Sequence, residues 1–114
     1  MSYFHLFSHV KSHELMPGFH GQIVHTPDMT LVLWHIESGS VLPEHSHPNE
    51  QITYLLSGAF EMTVGGETKV CEAGSMVTIP PNILHYGEAL SPVVLFDVFR
   101  PAREDFPPNE GIPE

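Results

Sequence analysis

The stretch that decides the fold is GSVLPEHSHPNEQITYLLSG, residues 39–58. It places His45 and His47 two residues apart, and Gln51 follows the bend at Pro48. Because residues i and i+2 of a strand share a face, both imidazoles can point inward from one strand edge. Gln51 then begins the next strand, where its amide oxygen can act as a third ligand. Such a cluster predicts a transition-metal site, since imidazole nitrogens bind these ions at about 2.0–2.1 Å.

A second stretch, GSMVTIPPNILHYG at residues 74–87, offers a fourth ligand in His85. The apolar strand within it ends at Pro80 and Pro81, and His85 follows that end. A lone histidine, or one H-x-H pair, is weak support for a metal site. Glycines at fixed distances around both stretches make the combination stronger.

Glycine and proline divide the rest of the chain into short segments that are typical of β-strands. Strands are predicted from Gln22, over residues 30–36, and across VVLFDVF at residues 93–99. Others are predicted within QITYLLSGAFEMTVGGETKVCEAG, residues 51–74, and before Pro80. Many short strands at this spacing indicate one all-β domain, a small antiparallel barrel or jelly roll.

The two ends of the chain are less regular. Residues 4–13 repeat apolar side chains at three-residue steps, which leaves a short helix and an edge strand both open. The barrel is expected over residues 22–106, after an N-terminal extension of residues 1–21. The proline-rich end is expected to be irregular, with a flexible tail over residues 107–114.

Composition narrows the possible partners. The chain has 114 residues and a net charge of −10, and its 4 lysines and arginines are too few to neutralise a nucleic-acid backbone. No apolar run approaches the about 18 residues of a membrane helix. Cys71 is the one cysteine and no secretory signal is recognisable, so we expect a cytoplasmic protein. Neither nucleic acids nor membranes are expected as partners.

Both stretches resemble the two cupin motifs. The matching patterns are Gly39-(five residues)-His45-x-His47-(three residues)-Gln51-(six residues)-Gly58 and Gly74-(five residues)-Pro80-x-Asn82-(two residues)-His85. Cupins usually have glutamate at the position of Gln51, often glycine at Asn82, and often asparagine at Ala89. The resemblance implies a small β-barrel with one divalent transition metal (zinc, nickel, manganese, iron or cobalt). Its implied ligands are His45, His47, Gln51 and His85.

A narrower resemblance links the segments HSHPNEQITYLLSGAFEMTVGGE and LFDVFRPAREDF to the KdgF group of cupins. That group converts unsaturated uronate monosaccharides, released from pectin or alginate, to linear 4-deoxy-5-keto uronates. The resemblance implies a small anionic sugar acid as substrate and Asp97, Phe99 and Arg103 as active-site residues. As in many small cupins, it also implies a homodimer.

The residues themselves give Asp97 a reason to be functional. It interrupts the most apolar strand and shares a face with Leu95 and Phe99. Burying a carboxylate without a partner is costly or forces it neutral, whereas a water-filled cavity near a cation can accommodate it. The alternatives are that Asp97 faces solvent or pairs with Arg100 or Arg103 to hold the tail. Phe99, taken alone, is expected to be a core residue.

Gln51 leaves the predicted site with four neutral ligands, so a divalent ion keeps its full charge. One extra unit of charge at 4 Å is worth about 4 kcal/mol at an effective dielectric near 20, which favours an anionic ligand. In the resulting hypothesis the metal is a Lewis acid, Asp97 moves a proton during ring opening and tautomerisation, and Arg103 binds the substrate carboxylate. An iron-dependent cupin dioxygenase and a non-catalytic small-molecule-binding cupin are the alternatives.

Overall fold

The computed structural model describes residues 2–112, which form ten strands and one short 3-10 helix. The helix is Phe7–His9. The strands are β1 (Ser12–Met16), β2 (Phe19–His25), β3 (Thr30–Ile36), β4 (Val41–His45), β5 (Glu50–Ser57), β6 (Phe60–Val64), β7 (Glu67–Cys71), β8 (Met76–Ile79), β9 (His85–Ala89) and β10 (Val93–Arg100). No helix within the described residues is long or apolar enough to cross a membrane.

The strands form two antiparallel sheets that share one core. The six-stranded sheet has the order β1-β2-β3-β10-β5-β8, and the four-stranded sheet has the order β4-β9-β6-β7. Buried side chains from both sheets belong to a single cluster, which includes Val32, Leu55 and Leu95 from one sheet and Phe60 and Met62 from the other. The predicted all-β, single-domain jelly roll is therefore confirmed.

The central strand β10 carries the alternation that the sequence predicted. It pairs with β3 on one side and β5 on the other. Its residues alternate between buried and half-buried positions, so Val93, Leu95, Asp97 and Phe99 all face the interior. This arrangement carries Asp97 into the space between the sheets, where the core and the candidate site meet.

Two strands near the candidate site lacked a clear sequence signal. β4 contains Pro43, which is tolerated because β4 is an edge strand of its sheet. β9 contains Gly87, which weakens a strand pattern but leaves room for the ring of Phe60. The prediction that His45 and His47 share one strand is wrong, because His45 ends β4 and His47 lies in the bend beyond it.

The N-terminal residues differ from the expected extension. Of the helix considered for residues 4–13, only the three-residue 3-10 turn forms. β1 is instead an edge strand of the six-stranded sheet, and β2 begins at Phe19, three residues before the expected boundary at Gln22. The extension therefore supplies part of the sheet, because the exposed edge of β2 offers it backbone hydrogen-bonding partners.

The C-terminal segment is irregular, as predicted, but its described part is not free. The backbone N–H of Lys11 donates to the carbonyl of Glu110 at 3.0 Å. The side chain of Asn109 accepts from the backbone N–H of His25 at 2.6 Å and donates to its carbonyl at 3.1 Å. These contacts attach the expected tail to the rest of the chain as far as Glu110, and its flexibility stays a prediction. Met1 and residues 113–114, on which part of the predicted ends fell, lie outside the described residues.

Candidate metal centre and active site

Three imidazoles converge between the two sheets. Strand pairing sets His45 directly opposite His85, and the bend after β4 brings His47 beside them. One ring nitrogen from each lies within 4.8 Å of those of the other two. His47 and His85 are buried, whereas His45 is half-buried. The structure thus brings together the three histidines that the sequence selected.

Backbone hydrogen bonds fix the orientation of all three rings. In each, Nδ1 lies at hydrogen-bond distance from a backbone carbonyl, which can only accept, so Nδ1 carries the proton and Nε2 keeps a lone pair. The acceptors are Pro43 (2.8 Å), Asn49 (3.0 Å) and Ile83 (2.8 Å), for His45, His47 and His85 respectively. Nε2 of His85 is buried and has no hydrogen-bond partner among the described residues.

Burial keeps two of these rings neutral. It lowers the pKa of His85 from 6.5 to about 4, against a smaller opposing effect of the hydrogen bond to Ile83. It also lowers the pKa of His47, and the nearby positive charge of Arg103 lowers it further. A neutral imidazole with a free lone pair is the form that binds a metal. The two rings are thus already in the binding form at neutral pH.

Gln51 presents its amide oxygen to the same cluster. Its Nε2 donates to the hydroxyl of Thr53 at 3.0 Å and to Oδ1 of Asp97 at 3.1 Å, which fixes the orientation of the amide. Its Oε1 then lies 3.0 Å from Nε2 of His47. With the proton of His47 on Nδ1, both atoms are acceptors, and a cation between them would relieve their repulsion. This set of three imidazole nitrogens and one amide oxygen fits a divalent transition metal. Nε2 of His85, the donor that is buried without a partner, would gain one from the metal.

Asp97 is buried and accepts three hydrogen bonds. Nε1 of Trp34 donates to its Oδ2 at 2.9 Å, while Thr53 and Gln51 donate to its Oδ1. Burial raises the pKa of Asp97, and these three donors oppose the rise. Arg100 pairs instead with Asp28 at 3.3 Å. The structure therefore contradicts the alternatives in which Asp97 faces solvent or holds the tail through an arginine.

Phe99 and Arg103 lie beside the histidines. Phe99 is directly opposite Gln51 in the pairing of β10 with β5, and its ring centroid is 5.6 Å from that of His47. Cζ of Arg103 lies 4.7 Å from the ring centroid of Phe99 and 4.2 Å from that of Phe106. Nε and Nη2 of Arg103 are bound to the carboxylate of Asp105 rather than to Asp97.

All these groups except His47 line one cavity of about 330 Å³, within the range for a small-molecule site. Its polar side chains lie together and its remaining walls are apolar. The polar lining residues are His45, Gln51, Thr53, His85, Asp97, Arg103 and Asp105. Trp34, Phe60, Leu95, Phe99 and Phe106 are among the apolar ones.

Three lining residues that hydrogen-bond to Asp97 or Arg103 were not predicted from the sequence. Thr53 has the same strand parity as Gln51, so alternation in β5 is a signal that could have found it. Trp34 lies on the inner face of β3, but its hydrogen bond to Asp97 depends on strand pairing that the sequence does not reveal. Asp105 follows Arg103 by two residues, and the sequence alone does not distinguish it from the adjacent Glu104.

The family model described as "Cupin domain" matches residues 32–99, from β3 to β10. The chain belongs to the cupin family. This cupin is 31% identical over 96 residues to "Pectin degradation protein KdgF" of Dickeya dadantii (strain 3937), which covers 82% of this chain and 87% of that protein. The predicted resemblance to the KdgF group is thereby confirmed.

Solved structures of single-domain cupins superpose over nearly the whole chain. KdgF from Halomonas sp. matches with a TM-score of 0.85 at 30% identity, covering 92% of this cupin and 98% of that chain. An RmlC-like cupin from Shewanella frigidimarina matches with a TM-score of 0.88 at 27% identity, covering 94% and 97%. Both structures therefore share the fold of this cupin over more than nine-tenths of its length.

Proposed function

We propose that this cupin is a metal-dependent enzyme of pectin or alginate breakdown, acting on an unsaturated uronate monosaccharide. It converts this sugar acid to a linear 4-deoxy-5-keto uronate by ring opening and enol–keto tautomerisation. The observation that carries the proposal is that His45, His85, Gln51, Asp97 and Arg103 line the same cavity. Similarity to a protein named for pectin degradation supports the substrate class, because pectin is a polymer of uronates.

His45, His47, His85 and Gln51 would hold the metal. Zinc, nickel, manganese, iron(II) and cobalt all suit three imidazoles and an amide oxygen. When bound, the metal supplies Lewis-acid polarisation of substrate oxygens. Because all four donors are neutral, the site favours an anionic ligand such as a carboxylate or enolate over a neutral one.

Asp97 is the proposed proton carrier. Ring opening leaves an enol, and ketone formation moves its proton from oxygen to the neighbouring carbon, so the overall composition does not change. Three donors hold Asp97 as a carboxylate, and burial raises its pKa, which favours accepting a proton and then returning it.

Arg103 and Phe99 are the proposed binding residues. The guanidinium of Arg103 is the cation that a substrate carboxylate would meet in the cavity. The ring of Phe99 packs between the guanidinium of Arg103 and the neutral imidazole of His47, and so forms an apolar wall of the site.

The test follows the conjugated double bond of unsaturated galacturonate by its absorbance. Metal-loaded protein should remove this absorbance faster than buffer alone. Asp97→Asn preserves size but removes the base, so turnover should fall about 10²–10⁴-fold. Asp28→Asn is the matched control, since Asp28 is exposed and pairs with Arg100 at the surface; its rate should equal that of the wild type.

Other outcomes discriminate among the candidate activities. An Asp97→Asn variant as fast as the wild type would remove the proton-transfer role, and wild type no faster than buffer would remove the reaction. Oxygen consumption without loss of the double bond would favour the iron-dependent dioxygenase. Thermal stabilisation by the sugar acid without any product would favour the non-catalytic binding module.

We also infer a homodimer, formed through the outer face of the six-stranded sheet. Strand register places Leu33, Phe96, Tyr54 and Met76 in one row across four strands. Met76 is 65% exposed, and no charged residue interrupts the row. In a chain of net charge −10, an uncharged face is the one that two copies can join with least repulsion. Light scattering of the purified protein measures its mass in solution, which decides between a monomer and a dimer.

A cytoplasmic location stays a prediction.

A further inference from the structure

Arg103 is held on one edge by a neighbouring carboxylate. The two oxygens of Asp105 accept from Nε at 2.9 Å and from Nη2 at 2.8 Å, a paired geometry that restricts the guanidinium to one plane. The same interaction lowers the pKa of Asp105, so its carboxylate stays ionised. Nη1 is the one guanidinium nitrogen without a partner among the described residues.

The two residues occupy different depths of the cavity. The side chain of Arg103 is 10% exposed and that of Asp105 is 65% exposed, so Asp105 holds Arg103 from the solvent side. The ring of Phe99 lies 4.7 Å from Cζ of Arg103 and 5.6 Å from the ring of His47, so the guanidinium is separated from the histidine cluster by one aromatic ring. A ligand inside the cavity therefore meets an arginine whose outer edge is already occupied.

The backbone of Arg103 is anchored separately from its side chain. Its N–H donates to the hydroxyl of Thr30 at 2.8 Å, and Thr30 is fully buried. Nδ1 of His25 lies 2.7 Å from the same hydroxyl, and its Nε2 lies 2.8 Å from the carbonyl of Pro107. The main chain is thus fixed at both sides of the segment. The rings of Phe99 and Phe106 pack against the guanidinium, and Asp105 supplies its hydrogen bonds among the described residues and so sets its direction.

We propose that Asp105 is a positioning residue, which holds Arg103 so that Nη1 and the second proton of Nη2 bind the carboxylate of the sugar acid. The identity of the ligand rests on the proposed function, but the contact itself does not. The opposing interpretation is that Asp105 occupies the place of the substrate carboxylate and must be displaced. The two interpretations differ in sign, since removing a positioning residue weakens binding, whereas removing a competitor strengthens it.

The experiment uses zinc-loaded protein and two sugars that cannot undergo the reaction, galacturonate and its neutral counterpart galactose. Trp34 is the one tryptophan of the chain and lines the cavity, so its fluorescence reports binding. The variants are Asp105→Asn, Asp105→Glu and the matched control Glu104→Gln. Glu104 is exposed and adjacent, and its substitution changes net charge by the same single unit as Asp105→Asn. KM and kcat for unsaturated galacturonate are measured in parallel.

A positioning role gives a definite pattern. In Asp105→Asn, the Kd for galacturonate and the KM should both rise about tenfold, while kcat changes less than about twofold, as expected for lost binding that the transition state shares. Asp105→Glu should recover part of the affinity because it restores the charged acceptor. Glu104→Gln should match the wild type, and galactose binding should be the same in all four proteins.

Several results would overturn the inference. Tighter galacturonate binding by Asp105→Asn would show that Asp105 competes with the ligand for Arg103. An equal change in Kd for Glu104→Gln would show that the loss of one negative charge, rather than the contact with Arg103, causes the effect. Turnover by wild type with Kd and KM unchanged in Asp105→Asn would sink the inference while the proposed function stands. Galacturonate binding without turnover would sink the proposed reaction while the Kd values still decide the role of Asp105. Absence of galacturonate binding by wild type would reject both.

Discussion

At the residue scale, the candidate centre depends on which atoms carry protons. Spacing in the sequence selected His45, His47, Gln51 and His85, because strand parity and glycine offsets are local properties. The carbonyls that turn each Nε2 toward the cluster could not be predicted, since they depend on the bends after β4 and before β9. The orientation of the Gln51 amide could not be predicted either, because its hydrogen bond to Asp97 joins residues 46 positions apart.

His85 gives a pH prediction for metal-free protein. Its pKa is lowered to about 4 in the folded state from 6.5, so the unfolded chain takes up the proton first as pH falls. The stability that this ring contributes is therefore complete above pH 6.5 and is lost as pH falls toward 4. Between pH 7.5 and 5, the loss should be about 2 kcal/mol. Urea unfolding of chelator-treated protein measures it.

Comparing the wild type with the His85→Gln variant isolates the contribution of the His85 ring to the pH dependence of stability. His47 contributes with the same sign, because its pKa is also lowered, and Asp97 contributes with the opposite sign, because its pKa is raised. Both groups remain in the variant, so the wild type should lose more stability than His85→Gln across this pH interval. Parallel stability curves for the two proteins would contradict the buried, neutral state of His85.

At the element scale, the strands that the sequence predicted best are those with strong alternation or a continuous apolar run. β6 alternates between apolar and polar residues and β10 is a continuous apolar run broken by Asp97, whereas β4 carries Pro43 and β9 carries Gly87, residues that normally weaken a strand assignment. Asn82, between β8 and β9, adopts the left-handed conformation with φ 65°, consistent with the tolerance of asparagine for it. Its N–H donates to the carbonyl of His47 at 2.8 Å and so joins the two ligand-bearing stretches.

Gly87 is the residue of β9 that a side chain should disturb most. A Cβ placed there would lie 2.6 Å from the carbonyl oxygen of Glu61 and would also overlap the ring of Phe60. Gly87→Ala should therefore destabilise the fold by about 1–3 kcal/mol, measured by urea unfolding. Glu88→Ala is the matched control, because Glu88 is the next residue of the strand and is exposed. Equal stability of the two variants would show that β9 shifts without strain.

At the scale of the whole molecule, two sheets and one cavity give a small chain a protected site. The fold class followed from many short strands, since that pattern extends over most of the chain. The cavity could not be predicted from the sequence, because its lining residues come from both sheets and from the segment after β10. The net charge of −10 opposes an anionic ligand at long range, so recognition of the proposed substrate would depend on the local charge of the proposed metal and of Arg103.

The most direct test of this account is anomalous diffraction from crystals of the zinc-loaded cupin, recorded at the zinc absorption edge. We predict one strong peak per chain about 2.0–2.2 Å from Nε2 of His45, His47 and His85 and from Oε1 of Gln51. A peak found only at surface histidines, or no peak between the two sheets in the presence of excess zinc, would contradict it.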